Sequence, residues 1–315
     1  MKRNLHLLLL LAGLLSGGSV CAQVPVAKPH DGATLIAPRY FGPYAFPVPD
    51  QTGGRLDARL QAELAMDAVI GTLAGPANRD YTYAPAFSLR VPLWTDRAVL
   101  GLWGEFHEWY EDTPETRALR RVAAEEPLAF HDGGSLYFSL ELLLIRERKY
   151  LPSLVVRAVT QTATGDDFER ARHYDCPAYF FDASLGKSWD WGAAGKLRIA
   201  GMLGFLCWQR DMGAQNDAFL LGAQLCYDHP HVRLTAEYGQ YSGWGHISPA
   251  DADLEPGDAP KALKFRLDVP VGNFSPFCYF QYGLQDWPFY QFRAGLAWSF
   301  DILHGRKGQK MDTAL

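Results

Sequence analysis

The chain has 315 residues, a formal net charge of −5 and 48% hydrophobic residues. That charge gives no basic footprint for nucleic acid, and beyond the first residues no run approaches the ~20 apolar residues of a membrane-spanning helix. A soluble protein and a membrane β-barrel both remain, because the alternating faces of a barrel strand cancel in any window average.

The start reads as a secretory signal. Lys2 and Arg3 precede an apolar run from Leu5 to Leu15, and Val20-Cys21-Ala22 before Gln23 fits signal-peptidase cleavage after Ala22. A lipoprotein reading of Cys21 is weaker, because Gly18-Ser19-Val20 does not supply the expected lipobox. Loss of Lys2 and Arg3 would take the charge from −5 to −7. The expected organisation is a signal peptide over 1–22, an N-terminal strap or plug over 23–54, a barrel over 55–301 and a periplasmic tail over 302–315.

The 23–54 segment is rich in Pro and Gly and contains Tyr40, Phe41, Tyr44 and Phe46 within RYFGPYAFPVPD. Aromatics in a stretch that cannot be a regular strand predict an ordered strap rather than a loose leader. The strap is expected to pack on lumenal Trp103, Tyr137 or Phe180, with Arg39 meeting the acidic set of the lumen. Next, Leu56, Ala58, Leu60, Ala62, Leu64, Met66 and Ala68 alternate with Asp57, Arg59, Gln61, Glu63, Ala65 and Asp67. The composition suits a helix, but strict alternation predicts a strand.

Further runs follow at 83–94, 99–110, 135–145, 153–163, 179–189, 197–208, 217–227, 232–241, 262–269 and 277–284, and a last one at 289–300. In the last run, FYQFRAGLAWSF, aromatic and aliphatic side chains share one face and Gln291, Arg293 and Ser299 share the other. Twelve strands satisfy the even count of a bacterial single-chain barrel. The connections 95–97, 146–150, 190–195, 229–230 and 272–275 are short, and those between them (71–80, 111–133, 164–177, 209–216 and 242–260) are longer. Short periplasmic turns and long external loops are the outer-membrane habit, and this order puts both chain ends in the periplasm. Trp94, Trp189, Trp191 and Trp298 fall at the short-turn end, Trp109, Trp208, Trp244 and Trp287 at the long-loop end, and Trp103 mid-strand. Two levels of indole predict aromatic girdles.

On this parity no strand centre puts Arg or Lys toward lipid, Lys187 and Glu108 lying near strand ends. The opposite faces carry Asp57, Glu63, Asp67, Glu105, Glu141, Asp182, Glu237 and Asp268 against Arg59, Arg90, Arg157, Arg198, Arg233, Lys264, Arg266 and Arg293. Balanced charge in a narrow barrel predicts ion-pair networks. Candidate lumenal binding residues are Trp103, Glu105, His107, Arg90, Glu141, Arg157, Asp182 and Arg293. Glu105 and His107 are expected on one face, as a hydrogen-bonded pair near the long-loop rim, an acid–base pair or half a metal site.

The remaining signals are weaker. The run DDFERARHYDC is expected to pair with itself, bind a sugar or fold into the mouth. Thr113 and Pro114 open a short helix that could cap the mouth, as N-cap and N1. Asp251, Asp253, Glu255 and Asp258 read as a solvated acidic loop, lacking the terminal Glu of a calcium loop. Cys176, Cys207, Cys226 and Cys278 show no CxxC pair, so neither zinc nor another cofactor is expected. If Trp189 faces Lys196, Cys207 sits opposite Ala178 with Cys176 one step beyond, which predicts a Cys176–Cys207 disulfide.

YFGPYAFPVPD, FFDASLGKSW, GFLCWQRDMGAQND and FCYFQYGLQDWPFYQFRAGLAWSFDI resemble an uncharacterised family of predicted outer-membrane proteins from Bacteroidetes-type bacteria. The resemblance covers most of the mature chain and implies an exported barrel with no site residues to carry over. The partners expected are outer-membrane lipids, lipopolysaccharide and, during biogenesis, the barrel-assembly machinery. The leading functional expectation is a Gram-negative, porin-like barrel that passes or binds a small polar solute. The alternatives are a barrel enzyme acting on lipid or surface glycan, and a structural or adhesion barrel. No GxSxG is present, nor the His-x-Ser-Asn run of phospholipase barrels.

Overall fold

The computed structural model describes residues 38–45, 53–93, 95–165, 167–173, 177–209, 215–243 and 259–303, the side chains of 38, 208, 209, 215 and 216 excepted. The expected signal peptide, Phe46, Trp94, Trp244, Cys176, the acidic 251–258 stretch and the residues beyond 303 lie outside these residues. The strands are β1 (Leu60–Gly71), β2 (Asp80–Pro92), β3 (Ala98–Glu105), β4 (Glu108–Glu111), β5 (Ala129–Asp132), β6 (Leu136–Ile145) and β7 (Ser153–Gln161). They continue with β8 (Ala178–Asp190), β9 (Lys196–Gln209), β10 (Gln215–His229), β11 (Val232–Gly243), β12 (Lys261–Asp268), β13 (Phe274–Gln285) and β14 (Phe289–Phe300). One α-helix, α1 (Pro114–Leu119), lies between β4 and β5.

Every pairing is antiparallel. β1 pairs with β14 on one side and β2 on the other, which closes a barrel of 12 strands. β4 continues β3 along β2, and β5 pairs with β4, so these two form a ribbon at the long-loop end. Closure leaves no barrel edge strand open for aggregation.

The period-two pattern becomes two surfaces. Along β8, residues 178–186 alternate buried and exposed without a break. The exterior carries Leu64, Tyr83, Leu89, Phe138, Phe181, Leu203, Phe219, Phe265 and Phe292, all exposed. An apolar belt this large exceeds what a water-soluble monomer leaves uncovered, and it is the lipid-facing surface a transmembrane barrel requires. Trp109 and Trp189 are exposed near opposite ends of their strands, as girdle residues should be.

Four differences from the sequence expectations have local causes. Pairing of β1 begins at Leu60 rather than Leu56, because Leu60 already faces Phe300, the last residue of β14. Trp287 is not a girdle residue: it is buried against Tyr44 and Phe289, and its indole N–H donates to Pro43 O at 3.3 Å. In the β8–β9 hairpin the last pair is Asp190 with Lys196, closed by the Trp191 N–H to Gly195 O bond. Cys207 therefore faces Tyr179, one step from the expected position, and the Cys176 pairing lies outside the described residues.

The fourth difference is a bulge. Ala86 pairs with Glu105, but Tyr83 pairs with Trp109, so β3–β4 holds one residue more than β2 across the same span. An extra residue reverses the facing of everything beyond it. Glu108 and Tyr110 consequently turn inward, while Trp109 turns outward.

Candidate functional site

The barrel interior divides into a sealed half at the long-loop end and a charged half at the short-turn end. Tyr40, Phe41 and Ala45 form one buried cluster with Tyr137, Val159, Phe180, Met202, Leu206, Leu220 and Tyr241, and Trp103 packs against it. Tyr44 joins a second cluster with Val69, Ala84, Ala262 and Phe289. The two clusters draw on strands from all round the barrel, so a segment touching both lies inside it. Full burial of aromatic side chains stabilises by roughly 1.5–3 kcal/mol each.

Polar contacts fix this strap. The Tyr44 hydroxyl donates to Asp67 at 2.9 Å, and the Gly42 N–H donates to Ala171 O at 2.8 Å. Arg120 donates to Tyr40 O at 3.1 Å. Arg39 lies 3.9 Å from Asp286, a residue of the β13–β14 loop and outside the acidic set expected for it. A Cβ on Gly42 would stand 2.8 Å from Arg172 O, so only glycine permits this approach. At the other end, Arg198 donates to Gly53 O at 2.7 Å and Gly54 O at 2.8 Å. Gly54 has φ +59, and a Cβ there would lie 2.5 Å from the Gly186 nitrogen. Eight peptide steps separate Ala45 from Gly53, and a chain of that length spans up to ~28 Å. The segment thus has contacts at both ends of the lumen.

Two connections at the long-loop end complete the seal. Thr113 caps α1, its hydroxyl accepting from Thr116 N–H at 3.1 Å, with Pro114 at the first position. Arg120, just past the helix, is fully buried and donates to Asp112 at 2.6 Å and Asp80 at 3.0 Å. In the 162–177 connection, residues 168–173 turn inward and bury Phe168, Arg172 and His173. Its Arg172 holds Glu108 through two hydrogen bonds of 2.8 and 3.0 Å and Thr82 through another of 2.8 Å. Burial opposes the charge on His173, yet the facing Glu108 and Asp132 carboxylates raise its pKa above the ordinary value.

Below the strap the lumen is charged. Arg90 pairs with Glu141 at 2.7 Å and Arg157 with Asp182 at 2.7 Å, while Glu141 and Arg157 are direct cross-strand neighbours. Arg293 binds Asp67 and, at 3.1 Å, Glu105. Arg266 binds Glu63 at 2.7 Å and Asp268 at 2.8 Å, and Lys264 binds Glu237 at 3.1 Å. A cavity of ≈ 250 Å³ lies between Arg90, Glu141, Arg157, Lys264, Arg266 and Arg293. A second cavity of ≈ 230 Å³ reaches Gly53, Arg55 and Asp57.

Of the candidates, Trp103, Arg90, Glu105, Glu141, Arg157, Asp182 and Arg293 come together in this interior. Trp103 stacks on Tyr137 with ring centroids 5.5 Å apart. His107 does not join them. The bulge puts it beside exposed Trp109 and His131, with ring centroids 4.7 and 5.0 Å away, so the Glu105–His107 pair does not form. Sequence reasoning missed Glu108, Asp132 and Arg120; folding into the mouth is one expectation for DDFERARHYDC, but the sequence does not mark Arg172 and His173 as its buried groups. Only the ETRALRR and FERARH runs hinted at buried guanidiniums.

No family model matches the chain, and no curated protein matches it in sequence. Among solved structures, it is similar to an outer-membrane channel from Pseudomonas putida F1, with TM-score 0.55, 12% identity and coverage of 81% of this chain and 100% of that one. It is also similar to the transport unit of the autotransporter AIDA-I from Escherichia coli, with TM-score 0.50, 10% identity and coverage of 81% and 93%. At such identity the likeness is one of fold.

Proposed function

We infer that this is an outer-membrane barrel of Gram-negative type that binds and admits a small polar solute, and that its own N-terminal segment obstructs the passage. The observation that carries the reading is the charged cavity bordered by Arg90, Glu141, Arg266 and Arg293, directly beneath the buried Tyr40–Phe41–Tyr44 strap. Paired charges of both signs suit a solute that can exchange hydrogen bonds with guanidinium and carboxylate alike. In this reading the short turns and both chain ends face the periplasm, after cleavage of the signal peptide, and the α1 and 162–177 connections face outward. Membrane lipid and lipopolysaccharide then cover the apolar belt, and the barrel-assembly machinery inserts it. The sequence resemblance to the Bacteroidetes-type family supports the same placement.

Single-channel recording in planar bilayers tests the reading. The chain lacking residues 23–54 should conduct more than the full mature protein, and Phe41→Ala should open more often. Equal currents from all three proteins would put the segment outside the conduction path.

A further inference from the structure

Glu108 on β4 and Asp132 on β5 are direct cross-strand partners. Both are buried, at 1% and 7% exposure. Like charges directly opposite each other destabilise a strand pair, and burial makes an uncompensated carboxylate costlier still. His173, fully buried, comes over this pair from the 162–177 connection, and one ligand atom from each of the three residues lies within 4.8 Å of the others.

The hydrogen bonding around the triad is incomplete. His173 Nε2 is 3.4 Å from Glu108 Oε1 without hydrogen-bond geometry, and neither ring nitrogen has a hydrogen-bond partner. Asp132 Oδ1 accepts from Gly133 N–H at 2.6 Å, but its Oδ2 has no partner. Gly165 backs the imidazole so closely that a Cβ there would stand 2.7 Å from His173 Cβ and Cγ, which fixes the ring against the carboxylates. Buried polar atoms left this way call for a missing partner.

We propose that Glu108, Asp132 and His173 bind a divalent transition-metal cation of the zinc class. One imidazole nitrogen with two carboxylate oxygens suits such a cation, whereas magnesium and calcium favour all-oxygen sets. Charge balance points the same way. The buried groups here are the carboxylates of Asp80, Glu108, Asp112 and Asp132 and the guanidiniums of Arg120 and Arg172. Four negative charges face two positive ones and the His173 imidazole, and a dication that displaces the imidazole's ring proton would offset the remaining excess. Arg172 already binds both Glu108 oxygens, but each carboxylate oxygen keeps a second lone pair for a metal.

The cation would staple the 162–177 connection to the β4–β5 ribbon. Ala171, two residues before His173, accepts the strap hydrogen bond from Gly42. The site therefore secures the seal inferred above, but metal binding itself does not depend on whether the barrel conducts.

The test is isothermal titration of Zn²⁺ into full-length mature protein, stripped of metal and folded in detergent micelles. One equivalent should bind, and His173→Gln and Asp132→Asn should each weaken it by about tenfold or more, at least the scale on which supporting groups of metal sites act. His107→Ala/His131→Ala removes the exterior histidine pair beside the ribbon and should leave binding unchanged. Heat-modifiable gel mobility reports folding of each variant, and if one fails to fold the other decides. Three outcomes would overturn the site: no stoichiometric Zn²⁺ binding by the native protein, undiminished binding in a folded variant of the triad, or loss of binding only in the exterior double variant.

Discussion

The hydroxyl of Tyr44 donates to Asp67 at 2.9 Å, and the same carboxylate accepts from Gln291 at 2.7 Å and pairs with Arg293. One side chain of β1 thus joins the strap to β14, and through Arg293 to Glu105 on β3. Tyr44→Phe keeps the ring packing and deletes one hydrogen bond to a charged acceptor, a loss of roughly 1.5–3 kcal/mol. The expected result is an intact barrel with more frequent channel openings, read by bilayer recording beside the gel-shift melt. Unchanged opening would show that the Tyr44 bond does not hold the strap.

Arg293 serves two carboxylates at once. Arg293→Met leaves Asp67 and Glu105 facing each other without a cation, which should cost about 3–5 kcal/mol. The thermal midpoint of the gel-mobility shift should fall. Adding Asp67→Asn and Glu105→Gln should recover most of it, because the penalty comes from unpaired charge rather than lost volume. No recovery would point to packing instead.

Glu147, in the β6–β7 turn, provides the pH dependence. Burial alone would raise its pKa, but the Ser188 N–H at 2.8 Å and Arg198 at 2.7 Å overcome this and lower it to about 2. A depressed carboxylate pKa stabilises the fold above its unfolded value of ~4.3, and that contribution disappears as the pH falls toward about 2. Arg198 also holds Gly53 and Gly54, so the strap's anchor at the short-turn end should loosen in this window. Limited proteolysis ahead of β1 at graded pH should accelerate as pH falls below ~4.3 in the native protein. In Glu147→Gln the rate should be high and flat; parallel profiles would exclude Glu147 as the titrating group.

Membrane orientation is tested with cysteine substitutions in a background whose native cysteines are replaced by serine. Glu125→Cys, exposed in the α1 connection, should react with an impermeant maleimide on intact cells. Tyr150→Cys, 86% exposed at the short-turn end, should react only after the outer membrane is permeabilised. The reverse pattern would invert the proposed topology.

The sequence by itself determined the barrel and its two faces. A strand's side chains alternate with a period of two, so a lipid face and a polar face can be read from β1, β8 and β14 without any partner strand. It also showed the short helix, because Thr113 and Pro114 act on their own neighbours. Pairing of Arg90, Arg157 and Arg293 was foreshadowed by the balance of lumenal charge, though their partners were not. Tertiary structure alone decided the rest. The residue added between Glu105 and Glu108 is a bulge only relative to β2, and nothing in WGEFHEWYED shows that His107 turns out and Glu108 in. The 162–177 connection has the composition of a solvated loop. Arg172 and His173 are buried because the carboxylates that receive them, Glu108, Asp112 and Asp132, come from strand ends and a loop distant in sequence. Local pattern fixes which face a residue occupies, but the closure of the barrel selects which charges meet inside it.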